Sequence, residues 1–190
     1  MTPLYKFAYV FMHSIGRLLY PLDLTGQENL DVEGGVMVVC NHVSLRDPFL
    51  VASLFKRQPA FMGKKELFKN KLFAKVLRQL GGFPVDRGAA DMSAIRESVN
   101  VLKAGKILIV FPQGHRFPND DDHEIKNGAS LLAIWSKVPV LPVHIAVPYR
   151  VFRKLKIRVG QPVDLSDLTK IDEATLTEAS RRISQAIWSE

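Results

Sequence analysis

Two short runs of this chain are apolar almost throughout, and they limit its fold more than anything else in it. VMVVC (36–40) has no polar side chain except a terminal thiol, and KILIVF (106–111) is apolar after its first lysine. A strand with one face in water alternates polar and apolar residues. A strand apolar at every position has both faces covered, as in a sheet lying between helices. Around these runs the chain alternates strand and helix with no internal repeat or linker. DPFLVASLF (47–55) reads as a helix with Asp47 at its cap and Pro48 in its first turn. Residues 66–78 read as a helix with Phe68, Leu72, Phe73, Val76 and Leu77 on one side and Lys69, Lys71, Lys75 and Arg78 on the other. Residues 90–103 form another through Met92, Ile95, Val99 and Leu102, ended by Gly105. GASLLAIWSK (128–137) is a helix, and a last one over 173–188 buries Leu176, Ala179, Ile183 and Ile187. PAFMG, GFPV and KLKIRVG read as strands; VPVLPVHIAV (138–147) is extended, its prolines arguing for an edge or irregular strand. The expected fold is α/β: a single domain with a mixed central sheet flanked by helices. A chain of 190 residues with 47% hydrophobic content can bury such a core.

Charge narrows the partners without choosing one. The formal charge of +7 suits nucleic acid, an anionic membrane or a phosphorylated substrate. No basic face with base-stacking aromatics is legible, so nucleic acid is not an expected partner. Cys40 is the only cysteine, which rules out an internal disulfide and fits a reducing compartment. Residues 1–20 carry Leu4, Phe7, Ala8, Phe11, Ile15, Leu18 and Leu19 at helical spacing, interrupted by Lys6, His13 and Arg17. That stretch is too short and too charged to span a bilayer, and no small-residue cleavage site follows it. It reads as an amphipathic helix lying in the membrane interface, or as a terminal helix packed on the core.

Three strand ends are rich in reactive side chains: Asn41-His42…Asp47, the VDRG of 85–88, and the FPQGHR of 111–116. In α/β sheets, sites gather where strands end, so three such junctions point to one crevice. A neutral imidazole can take a proton from a hydroxyl, and a carboxylate on its other nitrogen fixes the tautomer. Five positions apart, His42 and Asp47 are not helix neighbours, but a tight turn can join them. Spacing alone leaves open that Asp47 is only a helix cap and His42 only a loop residue.

The motif Asn41-His42-x-x-x-x-Asp47 resembles the N-H-x-x-x-x-D signature of glycerolipid acyltransferases. Residues 63–88, ending in Asp86-Arg87, resemble the family's second block; VFPQGHR (110–116) resembles its third, usually F-P-E-G-T-R; KVPVLPVHI (137–145) resembles its fourth. Four blocks in order over about residues 34–147 are a specific match. The resemblance, nearest to the compact bacterial enzymes that acylate lysophosphatidic acid, implies a glycerol-3-phosphate acyltransferase-like fold over residues 21–190. It implies acyl transfer from acyl-CoA or acyl carrier protein, as substrate rather than cofactor, to the sn-2 hydroxyl of 1-acyl-glycerol-3-phosphate. His42 is then the general base and Asp47 its orienting carboxylate. Lys64, Arg87 and Arg116 match positions that hold the acceptor phosphate, with Gln113 beside that site, and backbone amides near Gly114 are the donors the resemblance implies for the tetrahedral oxyanion. The expected place is the cytoplasmic face of a membrane, held peripherally. Gln113 and His115 depart from the family's glutamate and threonine, which leaves another lysophospholipid acceptor open. A silent membrane-binding protein is the competing class. The acidic loop 119–124 lacks the ligand spacing of a calcium loop and reads as solvated. His144 reads as a satisfied buried histidine, and Cys40 as a core residue rather than a nucleophile.

Overall fold

The structure, a computed structural model, describes residues 1–86 and 91–189. Helix α1 (Pro3–Phe11) runs through a π-helical stretch, Met12–Gly16, into the short α2 (Arg17–Leu19). Then follow β1 (Leu22–Thr25), β2 (Val36–Cys40), α3 (Asp47–Ala52), β3 (Ala60–Lys64) and a 3₁₀ turn, Lys65–Phe68. Helix α4 (Lys71–Gln79), β4 (Gly82–Val85), α5 (Met92–Lys103) and β5 (Ile107–Val110) complete the middle of the chain. Helix α6 (Asn127–Ser136), β6 (Val140–Ile145), β7 (Leu155–Val159) and α7 (Glu173–Trp188) end it. The strands form one mixed seven-stranded sheet in the order β1-β7-β6-β2-β5-β3-β4. Every neighbouring pair is parallel except β6 and β7.

The apolar runs lie where their composition demands. Strands β2 and β5 are neighbours in the middle of the sheet, and alternate residues enter two separate cores. Val36, Val38, Cys40, Ile107 and Ile109 face Leu50, Val51 and Phe55 of α3 and its C-terminal turn. Met37, Val39, Leu108 and Val110 face Val99 and Leu102 of α5, Leu132 of α6, and Ile183 and Ile187 of α7. Each aliphatic side chain fully buried this way contributes about 1.5–3 kcal/mol.

Two elements differ from the sequence reading. Strand β6 is no edge strand: it lies between β7 and β2 and is buried along nearly its whole length. Its Pro142 carbonyl accepts from the Gly160 amide at 2.9 Å, just past the end of β7. An antiparallel pair of this kind exchanges two bonds, and the missing N–H of proline removes only the second. A Cβ on Gly160 would come within 2.9 Å of the Pro142 ring, so the glycine makes room for it. The helix expected over 66–78 breaks at Asn70, whose side chain caps α4 by accepting from the Leu72 and Phe73 amides. Its expected apolar face is only partly used. Leu77 is buried, whereas Leu72 is 75% and Phe73 47% exposed.

The N-terminal helix packs one side on the domain. The Tyr5 hydroxyl donates to the Ala52 carbonyl, and the Thr2 amide to Gln58 Oε1 at 2.9 Å. Phe7, Val10, Phe11, Ile15 and Leu18 on the other side are exposed. No helix among the described residues is long and apolar enough to cross a membrane.

Candidate active site

Strands β2 to β6 all run the same way, so their carboxyl ends share one edge of the sheet. That edge receives Asn41-His42 after β2, Lys64 at the end of β3, Asp86 after β4 and Phe111–Arg116 after β5. The chain leaves β2 through Asn41, whose buried amide works as a strand extension. Asn41 Nδ2 donates to the Ile145 carbonyl at 2.9 Å, and the Ile145 amide donates to Asn41 Oδ1 at 2.8 Å. The side chain thus continues the β2–β6 ladder after the backbone has turned away.

The turn that follows closes on a single carboxylate oxygen. Asp47 Oδ2 accepts from the Val43 and Ser44 amides, each at 2.7 Å, and lies 2.8 Å from His42 Nδ1. Asp47 is therefore the first residue of α3, with its side chain turned back into the preceding loop; it does not cap α3 as the sequence suggested. With Nδ1–H donated to the carboxylate, Nε2 carries the ring's lone pair. The imidazole stacks on Phe111, ring centroids 4.1 Å apart and planes 24° apart. Its backbone is held at both ends: the His42 amide donates to Gln113 Oε1 at 2.8 Å, and the His42 carbonyl accepts from the Phe117 amide at 2.7 Å. A fixed, nearly buried imidazole with an oriented tautomer can remove a proton from a hydroxyl placed at Nε2.

On the far side of Asp47, Oδ1 is buried with no hydrogen-bond partner, and so is the Tyr149 hydroxyl. Burial, and then the Asp47 charge, push the Tyr149 phenol well above its usual range, so it stays protonated beside the carboxylate. Burial likewise raises the Cys40 thiol, helped by Asp47 and Asp120; it remains a neutral core group.

Other expected site residues fall in different places. Gln113 is 1% exposed, and both ends of its amide are taken by backbone: Oε1 by the His42 N–H, and Nε2 by the Asp122 carbonyl. Its contacts are those of a residue that positions the His42 backbone. They also account for its departure from glutamate, since a carboxylate cannot donate to the Asp122 carbonyl. Gln113→Glu is accordingly expected to destabilise the fold by about 1–3 kcal/mol and to lower turnover; an unchanged denaturant midpoint would refute this account. Gly114 sits at φ 76°, and its amide donates to the Phe111 carbonyl at 3.1 Å, closing the turn after β5. Arg116 is exposed on the loop that holds His42 and forms no ion pair among the described residues. Lys64 is exposed, its Nζ 3.8 Å from Glu66. Arg87 lies outside the described residues.

The loop read as a solvated acidic stretch is anchored by one of its carboxylates. Asp120, at φ 54°, binds His144 Nε2 through Oδ2 at 2.8 Å and accepts from Trp188 Nε1 at 3.1 Å through Oδ1. His123 stacks on Trp188 at 4.4 Å. This loop therefore ties α7 and β6 to the Gln113 amide, and through it to His42. Among the described residues, no group of three or more His, Cys, Asp or Glu side chains is arranged to hold a metal ion.

Fold and site together define an α/β protein built around a buried His–Asp pair at the carboxyl edge of its sheet. The chain belongs to the acyltransferase family, whose description matches residues 21–146. It is 36% identical over 154 residues to a 1-acyl-sn-glycerol-3-phosphate acyltransferase of Streptococcus pneumoniae, covering 77% of this chain and 57% of that protein. It is 31% identical to the enzyme of that name from Bacillus subtilis, covering 96% of each chain. The crystal structure of a 1-acyl-sn-glycerophosphate acyltransferase from Thermotoga maritima matches with a TM-score of 0.67 at 28% identity, over 98% of this chain and 80% of that one.

Proposed function

We propose that this chain transfers a fatty acyl group from an acyl thioester, acyl-CoA or acyl carrier protein, to the sn-2 hydroxyl of 1-acyl-sn-glycerol-3-phosphate. The 2.8 Å contact between His42 Nδ1 and Asp47 Oδ2 carries the reading. The names of the Streptococcus and Bacillus relatives support the acceptor. Nε2 of His42 takes the hydroxyl proton as the oxygen attacks the thioester carbonyl. The tetrahedral intermediate collapses, the carbon–sulfur bond breaks, and the imidazolium returns its proton to the leaving thiolate. Phosphatidic acid and a free thiol are the products. Asp47 holds the tautomer before the attack and offsets the imidazolium charge during it.

Arg116, on the loop clamped to His42, is the proposed phosphate contact, and Lys64 and Arg87 are proposed to share that role; a guanidinium fork can bond two phosphate oxygens at once. The outward apolar face of the N-terminal helix would dock on the cytoplasmic side of a bilayer, where the acceptor resides. The test crosses lysophosphatidic acid, lysophosphatidylglycerol and lysophosphatidylcholine with both donors and identifies the products by mass. Lysophosphatidic acid is expected to be the best acceptor. Arg116→Ala is expected to lower kcat/KM for it by about 2–5 kcal/mol in transition-state terms while sparing the donor. Preference for a phosphodiester acceptor would sink the assignment.

A further inference from the structure

The turn between β6 and β7 holds a large apolar side chain in water at a conformational cost. Arg150–Arg153 form a tight turn closed by the Arg153 amide donating to the Arg150 carbonyl at 3.2 Å. Phe152 stands at its third position with φ 61°, a place glycine takes freely and a bulky residue does not. Its ring is nonetheless 71% exposed, and Val151 beside it is exposed too. Neither packing nor backbone preference explains phenylalanine at this position.

Its surroundings are specific. The Phe152 amide donates to the Leu19 carbonyl at 2.7 Å, which fixes the turn to the end of α2, where Leu18 is 70% exposed. Tyr149, at the start of the turn, meets Tyr20 edge-on at 5.5 Å, and the Arg46 guanidinium lies 5.8 Å from the same Tyr20 ring. Leu45, beside Arg46, is exposed as well. Three segments that carry exposed apolar side chains, Leu18, Leu45 and Val151–Phe152, are thus brought together around Tyr20, next to the His42–Asp47 turn. Arg150, Arg153 and Lys154 flank the tip, all exposed, and residues 146–154 contain no acidic side chain.

We propose that the Arg150–Lys154 turn is a second bilayer anchor, inserting Phe152 and Val151 among acyl chains while its three cations meet anionic headgroups. With the N-terminal helix it would fix the catalytic edge against the membrane at two points. Aromatic tips flanked by long basic side chains suit this interface, because the ring enters the apolar layer while the charges stay at headgroup level. A second copy of the chain fits less well: a twofold contact would set these cations against their own equivalents. The inference rests on the proposed reading that the acceptor is a lipid drawn from a bilayer.

Phe152→Gly tests it, since glycine relieves the backbone while removing the anchor. The full chain is sedimented with phosphatidylcholine vesicles, with and without phosphatidylglycerol. Phe152→Gly should bind mixed vesicles about tenfold more weakly, with an equal or higher thermal midpoint and wild-type turnover of a short, water-soluble acceptor. Arg150→Gln, Arg153→Gln and Lys154→Gln should each cost about fivefold, on the phosphatidylglycerol vesicles only. If the wild type binds and these variants bind equally, the second anchor is refuted while the lipid reading stands. A wild type that binds neither vesicle overturns both. Loss of a dimer in Phe152→Gly would reassign the surface to a contact between copies.

Discussion

His42→Ala is expected to lower turnover by about 10²–10⁴, the usual range for removing a general base, while the protein stays folded. The backbone geometry explains why the two effects separate. The contacts of residue 42 with Gln113 Oε1 and with the Phe117 amide are made by its N–H and carbonyl, and alanine keeps both. Asp47 loses the imidazole but still accepts from the Val43 and Ser44 amides. What disappears is the ring stacked on Phe111 and the nitrogen able to take a proton. The measurement is kcat with lysophosphatidic acid beside the thermal midpoint of the same preparation. A folded His42→Ala protein turning over at the wild-type rate would remove His42 from the mechanism.

The sheet was legible because burial on two faces leaves a plain mark: β2 and β5 are apolar and buried at every position. Pro142 hid the central place of β6, because a proline's penalty depends on which neighbour its missing N–H would meet. Here that neighbour is Gly160, beyond the end of a strand. The exposed Leu72 and Phe73 of α4 show the opposite error: spacing reveals an amphipathic helix but not whether anything covers its apolar face. At the site, His42 and Asp47 were readable as a pair, but their contact depends on a turn that has no periodicity. Asn41 was legible as the first position of the motif, but its role was not, since a side chain that replaces a strand partner depends on Ile145, far along the chain. Gln113 was read from its place in a motif as facing the acceptor; its contacts depend on Asp122, nine residues later. Tyr149 and Asp120 lie outside the apolar patterns and gain their place only when the loops after β5 and β6 fold over the carboxyl edge of the sheet.

Asp47→Asn is expected to lower kcat by about 10²–10³ with little loss of stability, and the reason lies in how its bonds converge. All three donors meet one oxygen, Oδ2. The Val43 and Ser44 amides can only donate, so an asparagine must place its carbonyl oxygen there and its NH₂ where Oδ1 now lies. The Tyr149 hydroxyl, buried, unpartnered and close enough to feel the Asp47 charge, can accept as readily as donate. The amide therefore fits, and its oxygen still receives the Nδ1–H of His42 in the productive tautomer. The substitution removes the negative charge that offsets the imidazolium, a desolvated pairing of about 2–5 kcal/mol. Asp47→Ala is different. It strands the buried Val43 amide as well, at about 1–3 kcal/mol for a buried donor left unpaired, and the half-buried Ser44 amide at less, so it should lose both activity and stability. Comparing the two variants by kcat and by denaturant midpoint separates charge from scaffold. An Asp47→Asn protein as unstable as Asp47→Ala would show that the carboxylate's charge, rather than its position as an acceptor, holds the His42–Asp47 turn closed.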